Sequence, residues 1–187
     1  MKNYFYGLAI VILFTACGDD NTALESRGVN TSDSTDTDTS MNKPASEFAD
    51  ARYMDIGKKM LGDFESGNYD SWKNYLSDDA VYLYSSGDSI VGKEAIASYW
   101  KDRRSQNIDS FTVSNDIWMP IKINTPQQGP DQEGVWLLNW HQVDVKYKSG
   151  KSISFWVHSD HHFNAMDKID RLVVYVDRAP INEALKK

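Results

Sequence analysis

His158, Asp160, His161 and His162 crowd one short stretch of the chain, with His141 and Tyr84 upstream of them. An imidazole titrates near neutral pH, which makes it the commonest general acid or base. If the stretch is a strand, alternation sends His161 to one face and His158, Asp160 and His162 to the other. On an apolar face His161 can exchange a proton with Tyr84 or Asp144, or it can serve as a hydrogen-bonded packing residue. On the opposite face His158 and His162 stand about 13 Å apart, too far to share an ion held by bonds near 2 Å. His141, His158 and Asp160 converge better, yet their spacing permits zinc without specifying it, so no metal ligand is assigned. No paired carboxylates share one pocket, no nucleophile has an identified base, and no glycine-rich loop awaits a phosphate. No cofactor is called for.

These side chains need a scaffold, and the apolar pattern supplies one. Tyr53, Ile56, Met60 and Phe64 recur at helical spacing between Ser46 and Ser66, with Ser46 as the expected start. Gly57 and Gly62 each weaken that helix by about 1 kcal/mol relative to alanine, so packing must hold it. Asn68 to Leu76 reads as a second short helix, Asp78 to Tyr84 as a strand, and Gly92 onward as a third helix carrying Ile96, Tyr99 and Trp100. Beyond Gln106 the pattern turns to long strands over 110–123, 134–147, 151–164 and 168–177, with Asp177 closing the last. Helices followed by an antiparallel sheet define an α+β domain.

Ser149-Gly150 has the composition of a two-residue hairpin loop, which places Lys148 opposite Lys151 and fixes the register behind it. Trp136, Leu138, Trp140, Gln142 and Asp144 then share the helix-facing side with Phe163, His161, Ser159, Val157 and Phe155. Leu137, Asn139, His141 and Val143 fall on the other, partly polar side with His162, Asp160, His158 and Trp156.

The chain has a single cysteine, Cys17, so no internal disulfide can form. The run Tyr4 to Ala16 is thirteen residues long, short of the about 20 that a membrane span needs. Lys2, this apolar run and Leu13-Phe14-Thr15-Ala16-Cys17 together resemble the signal peptide and lipobox of bacterial lipoproteins. That resemblance implies removal of residues 1–16, lipidation of Cys17 by diacylglyceryl and acyl groups such as palmitate, and anchorage at the bacterial cell envelope. Anchorage at the outer membrane, on its periplasmic or surface side, is the expected location. Several acyl chains anchor stably where one is marginal. The stretch from Cys17 to residue 45 is rich in Ser, Thr and Asp and has almost nothing large to bury, so it reads as a tether with a reach of about 30 Å. Over the whole chain 27 Asp and Glu outweigh 20 Lys and Arg, for a net charge of −7. With no basic patch, nucleic acid is excluded as a partner.

Residues 46–187 form one domain-sized unit. Within it the order of Gly67-Asn68-Tyr69-Asp70, Leu76-Ser-Asp-Asp-Ala-Val81, Gly92-Lys-Glu-Ala-Ile96, the Ser149-Gly150-Lys151 hairpin and the closing Asp167-Lys168-Ile169 with Tyr175-Val-Asp177 resembles the SnoaL-like branch of the nuclear transport factor 2-like superfamily. The resemblance spans residues 47–180. It implies a cone of cystatin-like shape, in which a curved antiparallel sheet wraps an N-terminal helix and leaves a pocket. Members of that superfamily include isomerases, cyclases, hydrolases and dehydratases, as well as proteins that only bind or dimerise, and they often pair through their sheets.

Ketosteroid isomerases of that superfamily use a tyrosine, a base and a neutral acid. Their positions fall here at Met60, Tyr84 and Ser159, so that chemistry is absent. The same count lines the pocket with Met60, Phe64, Tyr82, Tyr84, Trp100, Trp136, Trp140, Phe155, Val157, Ser159, His161 and Leu172. Such walls suit a small hydrophobic or aromatic ligand, or else they simply fill the core. Three functions are therefore expected in order: binding of a small molecule in a homodimer; an isomerase, dehydratase or hydrolase using His161 with Tyr84; and an interaction module working through the polar sheet face.

Overall fold

A computed structural model describes residues 43–127 and 131–186. The expected signal peptide, Cys17 and the tether up to residue 42 lie outside the described residues. No helix among the described residues is long and apolar enough to cross a membrane.

The helical pattern produces α1 over Arg52–Ser66, with Tyr53 and Met60 buried against the sheet. Its expected start at Ser46 is corrected. Ser46–Phe48 form a short strand, β1, and the helix begins only after Asp50, whose Oδ1 accepts the Arg52 backbone N–H at 2.8 Å. Gly67, at φ +78°, ends the helix in the left-handed conformation that glycine adopts without a steric penalty. The second helix divides into α2, Tyr69–Trp72, capped by Asn68, and a 3-10 turn at Lys73–Tyr75. Strand β2 starts already at Leu76 and runs to Tyr84; β3, Ser89–Val91, folds back on it; and α3 spans Lys93–Asn107. The long strands are β4, Ile108–Ile123; β5, Gly134–Tyr147; β6, Ser152–Phe163; and β7, Ile169–Tyr175.

Besides β1 and β3, a C-terminal helix was not expected. Asp177 does not close β7; its Oδ1 accepts the Ala179 N–H at 2.9 Å and caps α4, Arg178–Leu185, which packs Ile181 and Ala184 inward. The seven strands lie in the order β1-β4-β5-β6-β7-β2-β3, antiparallel except where β2 runs parallel to β7. Register shifts in β4 between Ser114 and Ile117, with Asn115 at φ +56°, mark a bulge that bends the sheet around the helices. The domain is thus α+β, with a curved, unclosed sheet.

The β5–β6 register is shifted by one residue from the expected one. Tyr147, not Lys148, faces Lys151: the Tyr147 N–H donates to the Lys151 carbonyl and the Gly150 N–H to the Tyr147 carbonyl, both at 2.8 Å. The loop therefore has three residues, Lys148-Ser149-Gly150, and Gly150 at φ +91° supplies its left-handed position. A shift of one residue turns every β5 side chain to the opposite face relative to β6. Leu137 pairs with His161, Asn139 with Ser159, His141 with Val157 and Val143 with Phe155 on the concave side. Trp136, Leu138, Trp140 and Gln142 pair with His162, Asp160, His158 and Trp156 on the convex side.

Candidate functional site

A cavity of about 140 Å³ opens between the concave face of the sheet and α1, α3 and α4. Met60 and Phe64 enter it from α1, Tyr82 and Tyr84 from β2, Trp100 from α3, Phe155, Val157, Ser159 and His161 from β6, and Leu172 from β7. Alternation along each strand and the inward stripe of each helix bring these together. Trp136 and Trp140 do not line it, because the register turns them to the convex face. Trp136 is buried there beside the His162 ring and donates its indole N–H to the Gln132 carbonyl at 2.9 Å. Trp140 stacks on His158 at 4.3 Å, and His158 on Tyr175 at 5.4 Å. Asp144 is exposed, pairs with Ser154 and is out of reach of His161.

The register also divides the zinc candidates. His141 is in the cavity while His158 and Asp160 face outward, so the three cannot share an ion. No cluster of metal-ligating side chains occurs among the described residues.

Two histidines thus share the cavity wall where one was foreseen. Asn139 donates its side-chain amide to the Ile117 and Trp140 carbonyls at 3.0 and 3.3 Å, which turns its Oδ1 toward His141. His141 Nδ1 lies 2.6 Å from that oxygen and donates to it, leaving Nε2 as the lone-pair nitrogen. Burial pushes the His141 pKa down to about 4. His161, only 5% exposed, has Nε2 at 2.9 Å from Ser159 Oγ and an Nδ1 without a partner. Burial, with the nearby His141 and His158, pushes its pKa down to about 3. Both rings are neutral at physiological pH.

On the opposite wall the Tyr84 and Tyr99 hydroxyls meet at 3.3 Å, the Tyr82 and Tyr84 rings pack edge to face at 5.0 Å, and Trp100 sets its edge against Phe64 at 4.9 Å. Burial drives the Tyr82 and Tyr84 pKa values upward. Both phenols keep their protons.

Arg103, Arg178, Asn139, His141, Tyr99 and Asn182 also line the cavity and were not anticipated from sequence. Arg103 was detectable, since it lies one helical turn beyond Trp100 and so on the same face of α3. Arg178 and Asn182 depend on α4, whose signature is Asp177 as cap with Pro180 in the first turn. His141 and Asn139 needed only the correct register. Arg178 lies over the Tyr84 ring at 4.9 Å and pairs with Asp88 at 2.6 Å.

No family model matches the chain, and no curated protein matches it. Solved structures do. A candidate polyketide cyclase from Xanthomonas campestris pv. campestris superposes with a TM-score of 0.58 at 13% identity, covering 72% of this chain and 97% of that one. A nuclear transport factor 2-like protein of unknown function from Burkholderia pseudomallei K96243 also gives 0.58, at 10% identity over 74% and 100%. A candidate isomerase from Bacillus subtilis gives 0.51 at 21% identity over 70% and 90%. The cone-shaped sheet, the enclosed helix and these superpositions together identify the described domain as one of nuclear transport factor 2-like, SnoaL-like fold.

Proposed function

We propose that the protein is a membrane-anchored lipoprotein whose cone binds a small hydrophobic or aromatic molecule. The observation that carries this reading is the cavity itself, about 140 Å³ walled by aromatic rings and holding a few fixed polar groups. A dry apolar cavity of about 150 Å³ accepts benzene, so the space suits one aromatic ring. Binding is favoured over turnover by the state of the two groups named for proton transfer. A general acid or base works best when its pKa lies near the working pH. Burial takes His161 far below that range and Tyr84 far above it.

Anchorage rests on the sequence around Cys17, and mass analysis of the mature N-terminus tests it: an acylated Cys17 supports it, an uncut Met1 refutes it. Pairing through the convex sheet face belongs to the same proposal. Ile117 and Trp156 are 54% and 52% exposed on that face beside Tyr175, and a Trp156→Glu variant should be monomeric by sedimentation where the parent is dimeric.

The binding reading is tested by native mass spectrometry of the chain after exposure to lysate of its source. An organic adduct should be retained, survive Trp140→Ala on the convex face, and be lost in Val157→Trp, which fills the cavity. Absence of any adduct, or one indifferent to Val157→Trp, would count against it.

A further inference from the structure

The cavity inverts the charge of the molecule around it. The chain has a net charge of −7, yet among the described residues no Asp or Glu lines the cavity, while Arg103 and Arg178 do. The two histidines there are neutral and add no charge. Arg178 is already engaged by Asp88 and Ser86. Arg103 is different: half-buried on α3, it has no carboxylate within ion-pair distance among the described residues. Its neighbours are phenols. Burial raises the Tyr147 pKa, and the adjacent guanidinium partly offsets that, as it does for Tyr82 and Tyr84. One turn back on the same helix face, the Trp100 indole N–H is buried without an acceptor. A buried donor left unpaired is unfavourable, and a half-buried guanidinium answered by phenol oxygen and no counter-ion is only partly compensated for its lost hydration.

We propose that the ligand is an aromatic carboxylate, its single ring held between Phe64, Tyr82 and Val157 and its carboxylate paired with Arg103 at the α3 side of the cavity. The proposal rests on the binding reading above and names the class of ligand. A carboxylate supplies what that wall lacks, a planar pair of acceptors matching the guanidinium fork, with the Trp100 N–H as a second donor. A phosphate dianion would ask for more cationic partners than the one arginine that is free among the described residues. The volume sets the other limit, since one ring with a short arm fills it. The acidic exterior repels such an anion in bulk, so selectivity arises inside, where low dielectric strengthens the pair.

Phenylacetate, phenylacetamide and phenylphosphonate separate the possibilities in calorimetric titrations of the full chain in lipid nanodiscs, with empty nanodiscs as the blank. Phenylacetate should bind about ten- to a hundredfold tighter than the neutral amide, the range of a charge-assisted pair. In Arg103→Met that preference should collapse to within about twofold, and Arg103→Lys should restore part of it. Circular dichroism checks that both variants fold. Equal affinity for acid and amide, or a preference that survives Arg103→Met, overturns the carboxylate assignment and leaves cavity binding standing. Tighter binding of the phosphonate overturns it in favour of another anion. If none of the three binds, the carboxylate assignment falls, and the unaltered binding reading is then judged by its own adduct experiment.

Discussion

Lowering the pH from 7 to 4.5 should destabilise this domain far more than its carboxylates can explain. An unfolded chain protonates its histidines near pH 6.5, whereas His161 and His141, both buried, resist until about pH 3 and about pH 4. Between those values the unfolded state binds more protons than the folded one, so stability is fully present above pH 6.5 and is lost as pH falls. The loss is about 1.4 kcal/mol per pH unit for each ring, which accumulates to about 5 kcal/mol for the pair by pH 4.5. Folded domains have about 5–15 kcal/mol in total, so a drop of this size brings the protein close to unfolding. Asp160 works in the opposite sense, because burial raises its pKa and the folded state takes up that proton first. Asp78, Asp88 and Asp167 are held below the ordinary carboxylate range by Lys93, Arg178 and Arg52, and titrate outside this window. Urea unfolding at the two pH values, followed by tryptophan fluorescence, measures the difference. With a slope of about 1–3 kcal/mol per molar, the midpoint should fall by about 2 M or more. The doubly substituted His141→Gln/His161→Gln protein should lose most of this dependence. A wild-type stability that changes by less than about 1 kcal/mol, or an equal drop in the double variant, would refute the burial of two neutral imidazoles.

Glycines in α1 give a paired test of the packing that shapes the cavity. A Cβ at Gly57 would sit 2.5 Å from both Leu137 and Trp118, whereas Gly62 faces open space. Gly62→Ala should therefore stabilise by about 1 kcal/mol through helix propensity alone. Gly57→Ala should destabilise by about 1–2 kcal/mol, since overpacking outweighs the same gain, and thermal melts of opposite sign are the expected result. Asp177→Ala removes the α4 cap and should cost about 1 kcal/mol; Asp177→Asn, which keeps the acceptor, should recover most of it in the same melts.

The α+β class, the five longer strands and the three N-terminal helices were legible because their signals are local. Tyr53, Ile56, Met60 and Phe64 mark one helical face whatever surrounds them. The site was legible only as far as local signals reach. β6 was read on its correct face, so Phe155, Val157, Ser159 and His161 were placed in the cavity. β5 was inverted because Lys148-Ser149-Gly150 supports a two- or a three-residue loop with similar composition, and loop length fixes register. The strand gave no correction, since Trp136, Leu138 and Trp140 read as an inward stripe at least as well as Leu137, Asn139 and His141 do. The convex face of this sheet is itself apolar around Trp136, Ile123 and Val173, and alternation cannot tell two apolar faces apart. Ser46–Phe48 failed for a related reason: an edge strand with exposed side chains has no burial pattern to detect.

The corrected register also changes what the polar groups in the cone are suited to do. With β5 inverted, His161 would have stood among tryptophans, on the same face as Asp144 but about 20 Å along the strand from it. In the actual register its partner across the ladder is Leu137, its hydrogen bond goes to Ser159, and the nearest titrating neighbours are other histidines. Each of these favours the uncharged ring. His141 is likewise fixed by Asn139, whose amide is locked by the Ile117 and Trp140 carbonyls, so its tautomer is set by the backbone of β4 and β5. Neutral imidazoles with assigned or unpaired nitrogens are poor proton carriers at neutral pH but good recognition groups. They orient a ligand without repelling or neutralising it, and they leave Arg103 as the one charge in the cavity, among the described residues, free to be answered by what enters.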